Sequence, residues 1–95
     1  MPFEVLVGLE VTDDNSYDKY RKEMTPILEQ YGGGFKYDFK ISETLKSSVD
    51  ENINRLFVIF FKDEDSMNSF FKHPLYLKIK RAHFENAVKS TTIIS

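Results

Sequence analysis

Leu56 to Phe61 is an unbroken run of six apolar residues, LFVIFF. A strand with one wet face alternates, because successive side chains point to opposite faces. This run does not alternate, so both of its faces are expected to be covered. It is short, and Val58 and Ile59 are β-branched, which favours strand over helix. Asp63, Glu64, Asp65 and Ser66 follow at once. Their oxygens can accept from the free N–H groups of a helix start, and acids suit the positive end of its dipole. Met67, Phe70 and Phe71 then recur at helical spacing, and the pattern leads through His73-Pro74 to a basic segment. Proline there argues against one continuous helix.

The other elements fall around this unit. Phe3 to Val11 places Phe3, Val5, Val7, Leu9 and Val11 on one face, with Glu4, Leu6, Gly8 and Glu10 on the other. It reads as an interior strand. Thr12 to Ser16 is rich in capping residues, and Tyr17, Tyr20, Met24, Ile27 or Leu28, and Tyr31 form a helical stripe. Pro26 lies inside this helix, where a kink is expected. Gly32-Gly33-Gly34 ends it, since glycine takes the left-handed cap cheaply. The glycines follow a helix, and phosphate binds at the opposite helix end, so they are not a phosphate loop. Phe35 to Ser42 alternates Phe35, Tyr37, Phe39 and Ile41 against polar residues, as an edge strand would. Glu43 to Ile53 is a long polar connection, and Lys89 to Ser95 ends in a short β-branched strand.

The order is βαββαβ, which predicts an α+β, ferredoxin-like fold over residues 1–95 as a single domain. Two helices would cover one face of an antiparallel four-stranded sheet. The other face is then bare: either Phe57, Ile59 and Phe61, or Leu56, Val58 and Phe60, point outward. Three such side chains are worth roughly 5–9 kcal/mol on burial, comparable to the net stability of a domain. A patch of that kind calls for a cover, and a second copy of the chain is the first expectation. With the first assignment, Lys at position 57 or 59 would break that dimer.

Composition narrows the chemistry. No cysteine is present, which removes disulfides, thiolate catalysis and Cys-ligated zinc. Met1-Pro2-Phe3-Glu4 has neither the basic nor the apolar region of a secretory leader, and no apolar run reaches membrane-spanning length, so a soluble, cytoplasmic protein is expected. Residues 1–65 hold 8 Lys/Arg against 14 Asp/Glu, whereas residues 66–95 hold 5 against a single acid. The basic half suits either an anionic ligand or a solvated helix face. Arg55 to Phe61 faintly echoes an aromatic strand of RNA-recognition domains. Ile59 stands where a stacking aromatic belongs, and the overall charge is acidic, so nucleic acid is disfavoured as a partner.

His73 and His83 are the only histidines and show no metal-ligand spacing. No nucleophile elbow of the G-x-S-x-G type occurs. The candidate ligand site is Tyr76, Arg81 and His83, expected to line a cleft between helix and sheet. Tyr76 would position a small molecule, Arg81 pair with its carboxylate and His83 move a proton. No cofactor is expected.

Val11-Thr12-Asp13 with Tyr17 and Tyr20, then Pro26, Tyr31-Gly32-Gly33 and Phe35, Asn54-Arg55, and Pro74-x-Tyr76 carry a family resemblance. In order and spacing the chain resembles an uncharacterised bacterial domain-of-unknown-function family of the dimeric α/β-barrel superfamily. That superfamily includes antibiotic-biosynthesis-type monooxygenases. The resemblance implies a homodimer with the two sheets face to face and a small-molecule cleft in each protomer. It also implies activity, where present, that relies on the substrate's own reactivity without metal or organic cofactor. In some relatives a helix histidine holds haem, a position that would fall to His83. The chain departs from the family in having Phe60 where an acid is usual and His83 where an arginine is usual.

Overall fold

A computed structural model describes residues 3–95; Met1 and Pro2, and the part of the leader reading that rests on them, lie outside the described residues. The elements are β1 (Phe3–Val11), α1 (Asp14–Gln30), β2 (Gly34–Lys40), β3 (Arg55–Phe61), α2 (Glu64–Lys72), α3 (Pro74–Ile79) with a π-helical turn at Lys80–Phe84, and β4 (Val88–Ile93). The strands form one antiparallel sheet in the order β2-β3-β1-β4. Strand β3, which carries the apolar run Leu56 to Phe61, and the alternating strand β1 are therefore central, and β2 and β4 are the edges. Among the described residues no helix is long and apolar enough to cross a membrane.

Local chemistry sets the helix ends. The Asp13 and Asp63 carboxylates accept from the Ser16 and Ser66 backbone N–H groups, at 3.2 and 2.7 Å, capping α1 and α2. Gly32 ends α1 at φ +69°, the left-handed cap that only glycine takes without strain. Gly33 is held by space: a Cβ there would lie 2.6 Å from the Phe60 carbonyl oxygen. α1 runs unbroken past Pro26. Lys22 and Pro26 are both exposed, so the proline falls on the solvent side of the helix, where a carbonyl without a helical partner can bond to water. At the other helical region the chain breaks at His73. Its backbone is extended, and its Nδ1 accepts from the Leu75 N–H to start α3.

The orientation of β3 is the reverse of the first assignment. Phe57, Ile59 and Phe61 are buried against the helices, and Leu56, Val58 and Phe60 face outward. Phe57 and Ile59 thus belong to the core, and their replacement by Lys would unfold the chain rather than split a dimer. The partners on β1 follow, with Val5, Val7 and Leu9 under the helices and Leu6 and Gly8 on the open face. β2 corrects its own alternation. Phe35 pairs with Ile59 but Tyr37 pairs with Val58, so Lys36 is the extra residue of a bulge. Phe35 stays under the helices, in T-shaped contact with Phe57 at 5.4 Å, whereas Tyr37 and Phe39 turn to the open face.

The core joins β1 and β3 to α1 through Leu9, Tyr17, Met24 and Leu28, and to α2 and α3 through an aromatic cluster. Phe70 lies 5.6 Å from Phe61 and 4.4 Å from Tyr76, centre to centre. Asn54 ties the long β2–β3 connection to the sheet. Its side-chain amide accepts from the Val11 N–H at 2.8 Å and donates to the Val11 carbonyl at 2.9 Å, imitating a strand residue where the backbone ladder ends.

Candidate functional site

Helices α1 and α3 stand off the sheet far enough to leave a cavity of about 250 Å³. Val7, Leu9, Phe57 and Ile59 make its floor. Its roof carries Tyr17, Tyr20 and Met24 from α1, and Tyr76, Lys80 and Phe84 from the last helical region. A second recess of about 630 Å³ adjoins it and shares Val7, Ile59, Phe71 and Ile93, so the two form one cleft along β1 and β4. The π-helical turn begins at Lys80, one turn after Tyr76, and places Tyr76, Lys80 and Phe84 along the same wall.

The polar atoms of this cleft are few and ordered. The Tyr20 and Tyr76 hydroxyls are bonded to each other at 2.9 Å, joining α1 to α3. Arg21 Nη1 donates to the Tyr17 hydroxyl at 2.8 Å, and its guanidinium lies 3.5 Å from the centre of the Phe35 ring. Arg21 and Arg55 both pair with Asp38, at 2.8 and 3.1 Å. This network closes the end of the cavity beside β2. Cation–π contact and a shared carboxylate hold Arg21 in one place, so it presents a fixed donor to Tyr17.

Burial shifts the titrations of these groups. Desolvation pushes the Tyr17 hydroxyl up, against the pull of Arg21 and Arg55. Tyr20 is raised well above the ordinary phenol value by desolvation and then by Tyr76, and Tyr76 is raised by desolvation. All three phenols are therefore protonated donors at neutral pH. Desolvation also works to raise Asp38, but its bonds to Arg55 and Arg21 prevail and hold the carboxyl below its usual range.

The structure places the three expected site residues apart. Tyr76 lines the cavity and is buried. Arg81 is exposed and is not among the lining residues. His83 Nε2 lies 2.7 Å from Glu23 Oε2, bridging the π-helical turn to α1 outside the cavity lining. Tyr17, Tyr20, Arg21 and Lys80 are the lining residues that sequence reasoning passed over. The two tyrosines lay in the core stripe of α1, and only the Tyr17–Arg21 spacing of one helical turn hinted at a polar pair. Lys80 is the cation of the basic segment that reaches the cavity. Among the described residues no three His, Asp or Glu side chains are grouped to hold a metal ion.

Known structures share this fold. A protein of unknown function from Rhodopseudomonas palustris, RPA0582, superimposes with a TM-score of 0.84 at 17% identity, over 98% of this chain and 78% of that one. A Dabb-family protein with a ferredoxin-like fold from Mesorhizobium loti gives 0.62 at 14% identity, covering 98% and 92%. A dimeric ferredoxin-like protein of unknown function from Jannaschia gives 0.59 at 13%, covering 99% and 96%. No functionally curated protein matches the chain. The family model for the domain of unknown function DUF1330 matches residues 5–95, and the chain belongs to that family.

Proposed function

We propose that the protein binds a small, largely apolar organic molecule in the cleft between helices and sheet, and that it does so as a homodimer joined through the open sheet faces. The observation that carries the binding reading is the cleft itself, an apolar cavity of about 250 Å³ with Tyr17, Tyr20, Tyr76 and Lys80 on its wall. Tyr76 is the residue of the sequence-expected trio that enters this proposal. Protonated phenols orient and polarise a ligand, and any catalysis in this cleft would act by hydrogen-bond donation upon a substrate that supplies its own reactivity.

The dimer reading rests on the opposite face. Leu6, Tyr37, Phe39, Leu56 and Val58 form a shallow apolar depression there, and Tyr37 and Phe39 are each 53% exposed. The ferredoxin-like protein from Jannaschia is described as dimeric, in keeping with this proposal.

Native mass spectrometry of the protein purified from its own host tests both parts. The expected species is a dimer carrying a reproducible small-molecule mass, which is lost in Val7→Phe, where the larger side chain fills the passage between the two recesses. A monomer would overturn the dimer. An adduct retained by Val7→Phe would overturn the site.

A further inference from the structure

Resting on that reading of the cleft, we infer that its ligand carries an acceptor oxygen, a ketone or a carboxylate, on an apolar frame, and that the phenols of Tyr17 and the Tyr20–Tyr76 pair select it. Each phenol has one O–H to donate. The Tyr20–Tyr76 bond uses one hydrogen of that pair and leaves the other. Tyr17 accepts from Arg21 and, among the described residues, donates to no protein atom. Two of the three phenolic hydrogens therefore have no protein acceptor. Their side chains line the cavity and are 0%, 6% and 3% exposed for Tyr17, Tyr20 and Tyr76.

Each of the three hydroxyl oxygens already has one partner, so the two remaining hydrogens are open to an acceptor supplied by whatever fills the cavity. A water can meet such a hydrogen when no ligand is bound. A ligand that displaces this water gains affinity only if it reproduces the bonds, and a hydrocarbon cannot. A site built to hydrogen-bond a polar group discriminates far more strongly against an analogue that lacks it than an apolar pocket does against extra bulk. Lys80 adds a second preference. It lines the same wall and makes no ion pair among the described residues, so a carboxylate has a cation to meet that a ketone does not use.

Three bicyclic probes of matched size separate these statements: 2-acetylnaphthalene, 2-naphthoate and 2-ethylnaphthalene, titrated calorimetrically into the wild-type protein, Tyr17→Phe, Tyr20→Phe and Lys80→Met. Circular dichroism confirms that each variant is folded. The ketone or the carboxylate should bind at least roughly tenfold more tightly than the hydrocarbon, the factor that one satisfied buried donor supplies. Each Tyr→Phe change should narrow that gap, and Lys80→Met should weaken the naphthoate alone. Equal affinity for all three probes would overturn the acceptor inference and leave the cleft as an apolar binding site. No binding by any of them would overturn both.

Discussion

The two faces of this sheet are built from the same kind of residue and differ in what polar chemistry accompanies them. Under the helices, Val7, Phe57 and Ile59 floor a cleft whose roof holds three phenols, Arg21 and Lys80. On the open face, Leu6, Leu56, Val58 and Phe39 meet few polar atoms at their centre, and charge sits at the margin, as in the Lys36–Glu4 pair at 3.2 Å. An apolar patch with fixed internal donors recognises a small molecule, because the donors give it orientation. An apolar patch with a polar rim is the anatomy of a protein–protein interface. In the proposed reading the two faces of one strand, β3, serve two purposes, and residues 56 and 57 stand on opposite sides of that division.

The largest effect should come from breaking the open face. Val58→Lys sets a charge at its centre in both copies and should weaken the proposed dimer at least about 10,000-fold, since each unpaired charge is costly to bury. Sedimentation should show monomer while circular dichroism shows an intact fold. A dimer of unchanged affinity would remove the face-to-face arrangement. Phe57→Lys, one residue away, should instead unfold the chain. Next in size is the aromatic cluster that holds the roof. Phe70→Ala should lower stability by about 3–5 kcal/mol in chemical denaturation, as large-to-small core changes do. Asn54→Leu deletes both bonds to Val11 and should cost about 1–3 kcal/mol.

The smallest effects are those of pH, and they have opposite signs for the two polar clusters. The phenols of Tyr20 and Tyr76 titrate higher in the folded chain than in the unfolded one. Above pH 10 the unfolded chain loses these protons first, so stability present below that pH falls as pH rises. Asp38 titrates lower when folded, so its contribution is present above pH 3.8 and is lost as pH falls below it. Tyr20→Phe with Tyr76→Phe should flatten the alkaline limb of a stability profile, and Asp38→Asn the acid limb. Unchanged limbs would mean that these groups titrate alike in the folded and unfolded chain.

Much of the fold was legible because it is written in local chemistry. The uninterrupted β3, the acids before α2 and the glycines after α1 each act within a few residues, and β1 and β2 took the interior and edge places that their patterns implied. The facing of β3 was not legible. Its two sets of three side chains are equally apolar, and which set turns inward depends on register with β1. The bulge at Lys36 was hidden for a related reason, since Phe35, Tyr37 and Phe39 alternate perfectly while occupying both faces. At the site, Tyr76 could be found from its helical stripe. The bonds Tyr20–Tyr76 and Arg21–Asp38 join residues 56 and 17 positions apart, and no spacing rule reaches that far.

The proposed division of labour between the two faces can be measured by side-chain carbon–proton chemical-shift mapping of the wild-type protein with 2-acetylnaphthalene, because the side chains of one strand point to opposite faces. The proposed division leads to saturable shifts that cluster at Tyr17, Tyr20, Tyr76, Lys80 and Phe84 and leave Leu6, Leu56 and Val58 unmoved. Shifts confined to the open face, or none at all, would contradict it.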